Sequence, residues 1–592
     1  MPCNHGRVGR PALAILVLVL AGIALVSSVA IAAESPRQIY RIPGTVAADN
    51  QILLDLGFDV AAVRPGEWTD IVATPADVAR LQRLGYEPTL QSTMLAVIPG
   101  EYHTYSEMLT DLQAMVSAHP TIARIEDIGD AWSKIYNDPT HYPPHDIWAL
   151  KISDNVQVHE AEPEILYTGV HHAREPMGCE ICLGIAHNLL DNYGTDPQIT
   201  RFVNDHETWI VPIVNPDGHW CVTDLNYTDW RKNVRDNDNN HQITPPGYYT
   251  YPDGVDNNRN YGMMWGGDGS SSNPNDETYR GPSAFSEPEN QATRNLALRE
   301  NFSFSIDYHT YGEEVLYVYG FDYYTDAPDK PTISPIADTI RDRIGGNYIA
   351  EQANQLYPAA GNSQDWHYYE NNTFAFIIET ATQFIPPGGQ IAGVVTANIR
   401  GAMYLQERVD GPGVRGIVRI NGTPGRATVK LVGIDDPDLM KSRHSNPITG
   451  DYYRITQPGQ RTLLFSAMGF PDQQFTVNVP SNTYAALDVN FGVNIDVAGD
   501  QGSAGLRLSV VPNPASGSAG LQYALPTGVT HADLAIYDLS GRLVSRQSVT
   551  GAQGLTYWDG KDGGDTRLPA GIYLARIAAG DKQLTKRIVM LP

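Results

Sequence analysis

Residues 165–175 read Ile-Leu-Tyr-Thr-Gly-Val-His-His-Ala-Arg-Glu, and the rest of the 592-residue chain is best interpreted outward from them. The run at 165–170 predicts a buried strand, because it is short, continuous and largely aliphatic. Apolar residues from Ile181 to Leu189 then recur at helical spacing, and Gly194 is a typical helix stop. The polar stretch at 171–175 is therefore expected at the carboxyl end of a strand, where α/β sheets place their ligands.

His172 and Glu175 lie three residues apart and can offer an imidazole nitrogen and a carboxylate oxygen to the same ion. Zinc in catalytic sites takes three such protein ligands and keeps a fourth position for water. A lone His-x-x-Glu is by itself more typical of an ordinary exposed turn. A zinc site therefore requires a third ligand, a base and a substrate clamp from the rest of the chain.

Composition bounds the kind of protein. Hydrophobic residues make up 42% of the chain, which is typical of a globular protein with ample core, and the length predicts several domains. The formal net charge of −26 argues against nucleic acid and anionic membranes as partners, because both attract basic surfaces. We interpret the excess of acidic residues as a source of solubility.

Residues 1–32 are predicted to be a signal peptide. Arg7 and Arg10 precede an apolar run, and Ala30-Ile31-Ala32 has the small-residue pattern of a cleavage site. A transmembrane anchor is the alternative, since the run is almost long enough to cross a bilayer. We expect secretion to the outside of the cell, with the periplasm as the alternative location, and no stable membrane insertion after cleavage.

Three cysteines follow the signal, Cys179, Cys182 and Cys221, so at least one is unpaired within the chain. Cys179 and Cys182 form a C-x-x-C, a spacing typical of redox and metal pairs. Both lie on the helix predicted after residue 175, and no second pair exists to complete a structural zinc site. We therefore interpret them as thiols packed in the core.

The remaining patterns divide the chain into units. Residues 36–98 are predicted to be a small α/β unit, in which Thr74-Pro75-Ala76-Asp77 has the sequence of a helix start. Helical and strand patterns alternate over 101–408, which predicts an α/β domain with a mixed or parallel sheet between helices. Short alternating strands predict a β-sandwich at 413–493 and a second all-β sandwich domain at 506–592.

Two stretches supply candidate clamps. Arg231, within Trp-Arg-Lys-Asn at 230–233, could hold the oxyanion of a tetrahedral intermediate, although by itself such an arginine is usually a surface charge. In the Asn-rich turn that follows, Asp256 suits the far nitrogen of a metal-bound imidazole. Arg259 offers a planar fork for a carboxylate, and Asn258 offers a neighbouring amide donor.

Two further strands supply a ligand and a base. Residues 302–306 alternate as in a strand, and His309 falls near its carboxyl end, the same edge that is predicted for His172. Glu379 ends the apolar run 374–378, where an unpaired carboxylate would be costly. At that position Glu379 could accept the proton of an attacking water and later give it to a leaving amine.

Taken together, these pieces resemble the metallocarboxypeptidase family of zinc exopeptidases, and its secreted bacterial members in particular. The resemblance covers roughly residues 101–408. It is carried, in chain order, by His-Ala-Arg-Glu at 172–175, Asn-Pro-Asp-Gly at 215–218, Trp-Arg-Lys-Asn at 230–233, Asp-Asn-Asn-Arg-Asn-Tyr at 256–261, His-Thr-Tyr at 309–311, and Tyr357 and Glu379 at the family's own separation.

The resemblance implies an α/β sheet sandwiched by helices and a zinc-dependent hydrolase that removes the C-terminal residue of peptides and proteins. The implied ligands of one Zn²⁺ are His172, Glu175 and His309. The implied catalytic residues are Glu379 as general base and acid, and Arg174 and Arg231 as groups that polarise the scissile carbonyl. The implied grip on the substrate's free terminal carboxylate consists of Asn258, Arg259 and Tyr357.

Gln364 matches a position in the family's pocket for the terminal side chain, together with Leu356, Ala359, Asn362 and Ile377. Members specific for basic residues carry an acid at the position of Gln364, and members strictly specific for apolar residues carry an aliphatic one. Because Gln364 is neither, we expect a preference for neutral C-terminal residues, including apolar ones.

The units before and after residues 101–408 are interpreted with the same family resemblance in mind. Residues 36–98 are expected to be a pro-segment, with a plain accessory domain as the alternative. Residues 413–493 are similar to the transthyretin-like domains that follow some carboxypeptidases. Residues 506–592 resemble immunoglobulin-like C-terminal modules of secreted bacterial proteins, some of which serve as sorting signals, so secretion machinery is an expected partner.

Two other functions stay open at this point. A hydrolase of peptidoglycan peptides with a similar architecture is disfavoured by Asn258, Arg259 and Tyr357, which together suit a free carboxylate. A catalytically dead binding protein, attached to a surface through its β units, is disfavoured by the retained Glu379.

Overall fold

The computed structural model of the protein describes residues 37–93, 97–243, 251–492 and 506–591, apart from residues 512, 514, 517, 540, 565 and 581. The predicted signal peptide lies outside these residues. Within them, none of the helices combines the length and the apolar character needed to cross a bilayer.

The N-terminal unit is a four-stranded antiparallel sheet in the order β2-β3-β1-β4 with two helices. As predicted, Thr74 caps the second helix by accepting from the Asp77 backbone N–H at 3.2 Å, while the Asp77 carboxylate accepts from the Thr74 N–H at 3.0 Å. The elements are β1 (Gln38–Pro43), α1 (Ala47–Asp55), β2 (Asp59–Arg64), β3 (Trp68–Ala73), α2 (Pro75–Arg83) and β4 (Thr89–Thr93).

An eight-stranded mixed sheet forms the centre of the following part of the chain, in the order β11-β10-β12-β9-β7-β8-β6-β5. The four middle strands are mutually parallel, so their carboxyl ends share one edge. The strands are β5 (Ala123–Asp130), β6 (Asp146–Ile152), β7 (Glu164–Gly169), β8 (Glu207–Val211), β9 (Phe304–Thr310), β10 (Glu314–Tyr317), β11 (Ile349–Gln352) and β12 (Phe374–Thr380).

Two groups of helices pack around this sheet, and the predicted α/β architecture is thereby confirmed. Contacts from α3 to α5, from α5 to α11 and from α11 to α9 join four helices into one group, while α8 and α10 contact each other, and both groups pack on strands of the sheet. The helices are α3 (Tyr105–Ala118), α4 (Trp132–Tyr136), α5 (Met177–Asp191), α6 (Pro197–Asp205), α7 (Pro216–Thr223), α8 (Pro288–Arg299), α9 (Lys330–Ile344), α10 (Ser363–Asn371) and α11 (Gly388–Arg408), with short 3₁₀ turns at Asn257–Arg259 and Ala353–Gln355.

Helix α5 carries the C-x-x-C pair. Cys179 and Cys182 are buried on it, and Cys221 is buried on α7; all three are free thiols. The interpretation as core cysteines is therefore confirmed.

Residues 413–491 form two small sheets around their own apolar core. Their strands are β13 (Gly413–Ile420), β14 (Thr423–Pro424), β15 (Thr428–Leu431), β16 (Arg443–His444), β17 (Asp451–Ile455), β18 (Gly459–Ser466), β19 (Gln473–Val479), β20 (Tyr484–Ala486) and β21 (Val489–Phe491). The buried Arg454 pairs with Asp329 of the α/β part at 3.0 Å, which ties the two parts together.

The last unit also contains two sheets and a separate core. Its strands are β22 (Arg507–Val511), β23 (Ala515–Ser516), β24 (Ala519–Ala524), β25 (His531–Asp538), β26 (Leu543–Thr550), β27 (Gln553–Trp558), β28 (Gly571–Ala579) and β29 (Lys582–Leu591). The prediction of all-β regions after the α/β part is confirmed.

Candidate functional site

Three buried side chains meet at the carboxyl edge of the parallel strands. His172 lies in the turn after β7, Glu175 lies just before α5, and His309 lies near the end of β9. His172 Nδ1 is 2.9 Å from Glu175 Oε1, His309 Nδ1 is 2.8 Å from Glu175 Oε2, and the two Nδ1 atoms are 3.1 Å apart. The structure thus brings together the three residues that sequence motifs predict as zinc ligands.

These nitrogen and oxygen atoms suit a zinc ion as ligands. Zinc bonds of about 2.0–2.1 Å in a tetrahedral arrangement put neighbouring ligand atoms roughly 3.3 Å apart, close to the separations here. The far Nε2 of His172 lies 3.2 Å from Asp256 Oδ1, and the far Nε2 of His309 lies 3.0 Å from Asp307 Oδ2. Because each Nε2 therefore donates to a carboxylate, both Nδ1 lone pairs and the Glu175 carboxylate face one point as acceptors, which a cation satisfies.

Positive charge at this point keeps Glu175 ionised. Burial raises the pKa of its carboxyl, but the charged form of the His172 and His309 imidazoles beside it holds that pKa below its usual range, and a cation bound between neutral imidazoles would act in the same direction. Glu175 also accepts the Thr310 N–H at 3.2 Å. The carboxylate is therefore kept ionised, as a metal ligand must be.

Glu379 lies beside this centre on the neighbouring strand. Its Cα pairs in parallel register with that of His309, so both side chains point to the same side of the sheet. The pKa of Glu379 is raised to about 8: burial is the largest cause and the nearby Glu175 adds to the rise, while His309 and Arg231 oppose it. The side chain remains partly exposed, so it is open to a water.

Arg231 lies within reach of the same centre. Its Nε and Nη2 donate to Asp256 Oδ2 at 3.1 and 2.8 Å, which fixes the plane of the guanidinium. Its Nη1 is 3.9 Å from Glu175 Oε1. The structure therefore places a held cation next to the three converging acceptors, as the prediction for Arg231 requires.

Arg174 is engaged differently. Its side chain is fully buried, and Nη1 and Nη2 donate to the two carboxylate oxygens of Asp59, in the N-terminal unit, at 2.8 and 2.9 Å. Its guanidinium also lies over the Phe384 ring. In this arrangement the arginine predicted to polarise a carbonyl is occupied by a carboxylate from residues 36–98.

Of the predicted clamp residues, Asn258 lies close to His309. Asn258 Oδ1 accepts the Ser363 N–H at 2.8 Å, and Asn258 Nδ2 is 3.5 Å from His309 Nε2. Arg259 donates through Nε to Gly269 O at 2.8 Å and through Nη1 to Asn258 O at 2.9 Å. Both side chains are buried, so their polar groups are already positioned before a substrate arrives.

Tyr357 lies in the loop before α10. Burial raises the pKa of its phenol; Glu379 and Glu175 raise that pKa further, and Arg259 and Arg231 oppose the rise. Tyr357 also packs against an apolar cluster shared with the N-terminal unit.

Gln364 is only 2% exposed, yet neither its Oε1 nor its Nε2 has a hydrogen-bond partner within the described parts of the chain. Leaving such a group unpaired costs free energy, so an unpaired buried amide calls for an explanation. The neighbouring Asp365 is held by Asn362 Nδ2 and by the Gly320 N–H, and burial raises its pKa to about 7.

The N-terminal unit covers this edge of the sheet. Asn50 Nδ2 donates to Leu356 O at 3.0 Å, and Arg64 Nη2 donates to Gly312 O at 3.0 Å. Four residues of the α/β part share one apolar cluster with the core of the N-terminal unit, namely Leu316, Ala353, Leu356 and Ile377. Two of them, Leu356 and Ile377, belong to the predicted side-chain pocket.

Sequence reasoning missed two groups at the site. Asp307 was not predicted, although it lies two residues before His309 and therefore on the same side of the strand. Asp59 was not predicted either, because no local pattern connects it to Arg174, which lies 115 residues away.

Comparisons with known proteins agree with this geometry. Residues 108–401 match the family model described as zinc carboxypeptidase, and residues 509–591 match the one described as secretion system C-terminal sorting domain. The second match indicates a secreted protein. A zinc carboxypeptidase from Saccharothrix mutabilis subsp. capreolus is 32% identical over 301 residues, which cover 48% of this chain and 63% of the relative.

Human carboxypeptidase D is 24% identical over 424 residues, covering 66% of this chain and 26% of its own length. The chain thus spans less than two thirds of the length of these relatives. The crystal structure of carboxypeptidase A from Helicoverpa armigera matches with a TM-score of 0.52 at 21% identity, covering 63% of this chain and 98% of that one, a likeness of fold. Over residues 108–401 the chain is therefore similar to the zinc carboxypeptidase family.

Proposed function

We propose that the protein is a secreted metallocarboxypeptidase that uses one zinc ion to hydrolyse the C-terminal peptide bond of peptides and proteins. The observation that carries the proposal is the convergence of His172, Glu175 and His309 at the edge where Glu379 lies. Zinc held there would lower the pKa of a water and polarise the scissile carbonyl.

Two side chains of this protein then have separate roles, one in proton transfer and one in stabilising negative charge. Glu379 accepts a proton from the attacking water and later donates it to the leaving amine. For the first step Glu379 must be ionised; the nearby Arg231 favours that form against the burial, which raises the pKa of Glu379 to about 8. Arg231, held by Asp256, offers its remaining N–H groups to the negative charge that develops on the carbonyl oxygen.

Specificity for a chain end follows from the clamp. The amide Nδ2 of Asn258 and the guanidinium of Arg259 would donate to the terminal carboxylate, and the Tyr357 hydroxyl would complete the grip. A peptide bond in the middle of a chain offers no such negative charge. We therefore infer that the enzyme removes residues one at a time from free C-termini.

We further infer that residues 36–98 act as a pro-segment and that the final unit directs secretion. Asp59 on Arg174, Asn50 on Leu356 and the shared apolar cluster support the first role. The match of residues 509–591 to a secretion-system sorting domain supports the second.

The activity is tested with purified mature protein and paired peptides that end in a free or an amidated carboxylate. Mass spectrometry should detect stepwise loss of single C-terminal residues from the free form and almost none from the amidated form. Internal cleavage products, or equal rates on both peptides, would contradict the proposal. Release of residues from cell-wall stem peptides alone would favour the peptidoglycan-peptide hydrolase.

Metal content is a separate prediction. We expect one zinc ion per chain by elemental analysis, with activity lost on chelation and restored by Zn²⁺. The His309→Ala variant should lose most of its zinc, because three protein ligands are needed for tight binding. His145→Gln is the control, since the His145 ring bonds Asp217 rather than a predicted ligand; zinc loss in that variant, or two ions in the wild type, would contradict the assignment.

Gln364 is predicted to set the preference for the terminal side chain. Its unpaired amide can bond a neutral polar side chain or a water, but it supplies no charge. We expect peptides with neutral C-terminal residues to be cleaved about 10–100-fold faster than those ending in Lys or Arg, because a charge entering without a partner loses charged hydrogen bonds. Gln364→Glu should reverse that ratio in a C-terminally randomised library; an unchanged profile would show that Gln364 does not face the pocket.

A further inference from the structure

We propose that Asp307 is a positioning residue that serves two parts of the site, the zinc ligand His309 and, through Ser363, the clamp residue Asn258. The inference rests on the proposed function only in that the clamp is taken to bind the terminal carboxylate of a substrate. The metal half of the proposal, the effect of Asp307 on zinc binding, can be measured on a protein that has no peptidase activity at all.

The first observation is that the Asp307 carboxylate is saturated by four donors. His171 Nδ1 and Thr168 Oγ1 lie 2.8 and 3.0 Å from Oδ1, while His309 Nε2 and Ser363 Oγ lie 3.0 and 2.8 Å from Oδ2. A carboxylate has about four acceptor positions, so none is left over. The side chain is also buried, which excludes water as a competing partner. Asp307 can therefore neither rotate nor exchange partners without losing hydrogen bonds.

The bond to His309 decides which nitrogen of that ring carries the proton. Since Asp307 Oδ2 only accepts, Nε2 of His309 must donate, and the Nδ1 lone pair then faces Glu175 and His172. A ring in the other tautomer would point an N–H at the place of the ion. Holding the far nitrogen in this way fixes ring orientation and makes the ligand nitrogen more basic.

The bond to Ser363 extends the same restraint to the clamp. Ser363 is the first residue of α10, and its N–H donates to Asn258 Oδ1 at 2.8 Å. That contact fixes the amide of Asn258 so that Nδ2 lies on the side of His309. Asp307 thus holds, through one hydroxyl, the residue that orients the amide donor.

A second carboxylate in the site has the same double connection. Asp256 accepts from His172 Nε2 and also holds Arg231, the cation beside the reaction centre. Each of the two histidines predicted to bind zinc therefore donates a hydrogen bond to a carboxylate that also positions one group predicted to face the substrate. This parallel supports a positioning role for Asp307 rather than a purely structural one.

The test measures zinc affinity by competition with a chelator and records the visible spectrum of the Co²⁺-substituted full-length protein. For Asp307→Asn we expect zinc binding about 10–100-fold weaker and an altered Co²⁺ spectrum, because one amide cannot accept from both histidines and Ser363. Asp307→Glu, which keeps the charge but displaces it, should fall between the wild type and D307N.

Asp217→Asn is the matched control. Asp217 is equally buried and also accepts from a histidine ring and a serine hydroxyl, those of His145 and Ser133, neither of which is a predicted ligand. We expect D217N to lower thermal stability without changing zinc affinity. If D307N and D307E bind zinc as tightly as the wild type, or if D217N weakens zinc to the same extent, the metal half of the proposal is overturned.

Ser363→Ala tests the second half and removes only one hydroxyl. We expect KM for a peptide with a free C-terminus to rise by roughly 3–10-fold, the loss of about one hydrogen bond's orienting effect, with kcat and zinc affinity little changed. An unchanged KM would overturn the link to Asn258. A wild-type protein that binds zinc tightly but cleaves no peptide would refute the proposed function and leave the zinc result for Asp307 standing.

Discussion

Replacing Glu379 by Gln is expected to lower kcat for release of a C-terminal residue by about 10²–10⁴-fold, the range that a positioned general base and acid contributes. The amide cannot take a proton from water at neutral pH, and it cannot return one to the leaving amine. The substitution keeps nearly the same size and shape, so the strand β12 and its pairing with β9 are expected to persist.

Two further measurements, zinc content and KM, distinguish loss of the general base from disruption of the whole site. Zinc content should stay at the wild-type level, because Glu379 is not among the three predicted zinc ligands, His172, Glu175 and His309. KM should change much less than kcat, because the clamp residues Asn258 and Arg259 are untouched. Stopped-flow or steady-state assays on a free-carboxylate peptide, with elemental analysis of the same sample, provide both quantities.

Glu314→Gln is the matched control on the adjacent strand. Glu314 pairs in register with Glu379, but it is buried, and that burial raises the pKa of its carboxyl far above the usual range. Because the raised pKa favours the neutral form, we expect Glu314 to lose little when it becomes an amide. If E314Q is as damaging as E379Q, or if E379Q keeps more than a tenth of the activity, the base must lie elsewhere.

How much of this site could be predicted from the sequence depends on the distance over which each part is determined. The positions of His172 and His309 at one sheet edge follow from local patterns: an apolar strand, a polar turn and the parallel order of neighbouring strands. The same holds for the helix start at Thr74, where the cap and Asp77 lie within one turn. Such features need only a few consecutive residues to be recognised.

Other parts were not predictable because they depend on packing between distant segments. The saturation of Asp307 requires Thr168, His171 and Ser363 to arrive from three different places, and only its side of the strand is evident from the sequence. The absence of partners for the Gln364 amide in the described structure is likewise a property of its surroundings.

Cutting the chain between residues 93 and 101 is expected to raise peptidase activity by about 10²–10³-fold, since a tethered inhibitor competes at an effective concentration on the order of millimolar. The reason is the position of the N-terminal unit. It holds Arg174 through Asp59, bonds the Leu356 carbonyl through Asn50, and shares an apolar cluster with Ile377 of the predicted pocket. On the pro-segment hypothesis, this unit excludes the substrate from that pocket while it is in place.

The ion pair between Asp59 and Arg174 allows the inhibitory role of the N-terminal unit to be tested without cutting the chain. Asp59→Asn should raise the activity of the uncut chain by at least about 10-fold, because truncating one partner of a buried ion pair costs about 3–5 kcal/mol in the docked state. Part of that cost falls on the neighbouring charges, since Arg37 pairs with Asp59, Asp229 and Glu277 in the same cluster. Glu87→Gln, an exposed change on the same unit, is the control and should leave activity unchanged.

The outcome discriminates between a pro-segment and a plain accessory domain. A pro-segment predicts that D59N and the cut act in the same direction, and that adding back the separate 36–98 unit inhibits the cut enzyme, less strongly when it carries D59N. An accessory domain predicts equal activity before and after the cut. If the uncut chain already cleaves peptides at the full rate, the contacts of Asp59 and Asn50 serve only to join two units, and the inhibitory role must be abandoned.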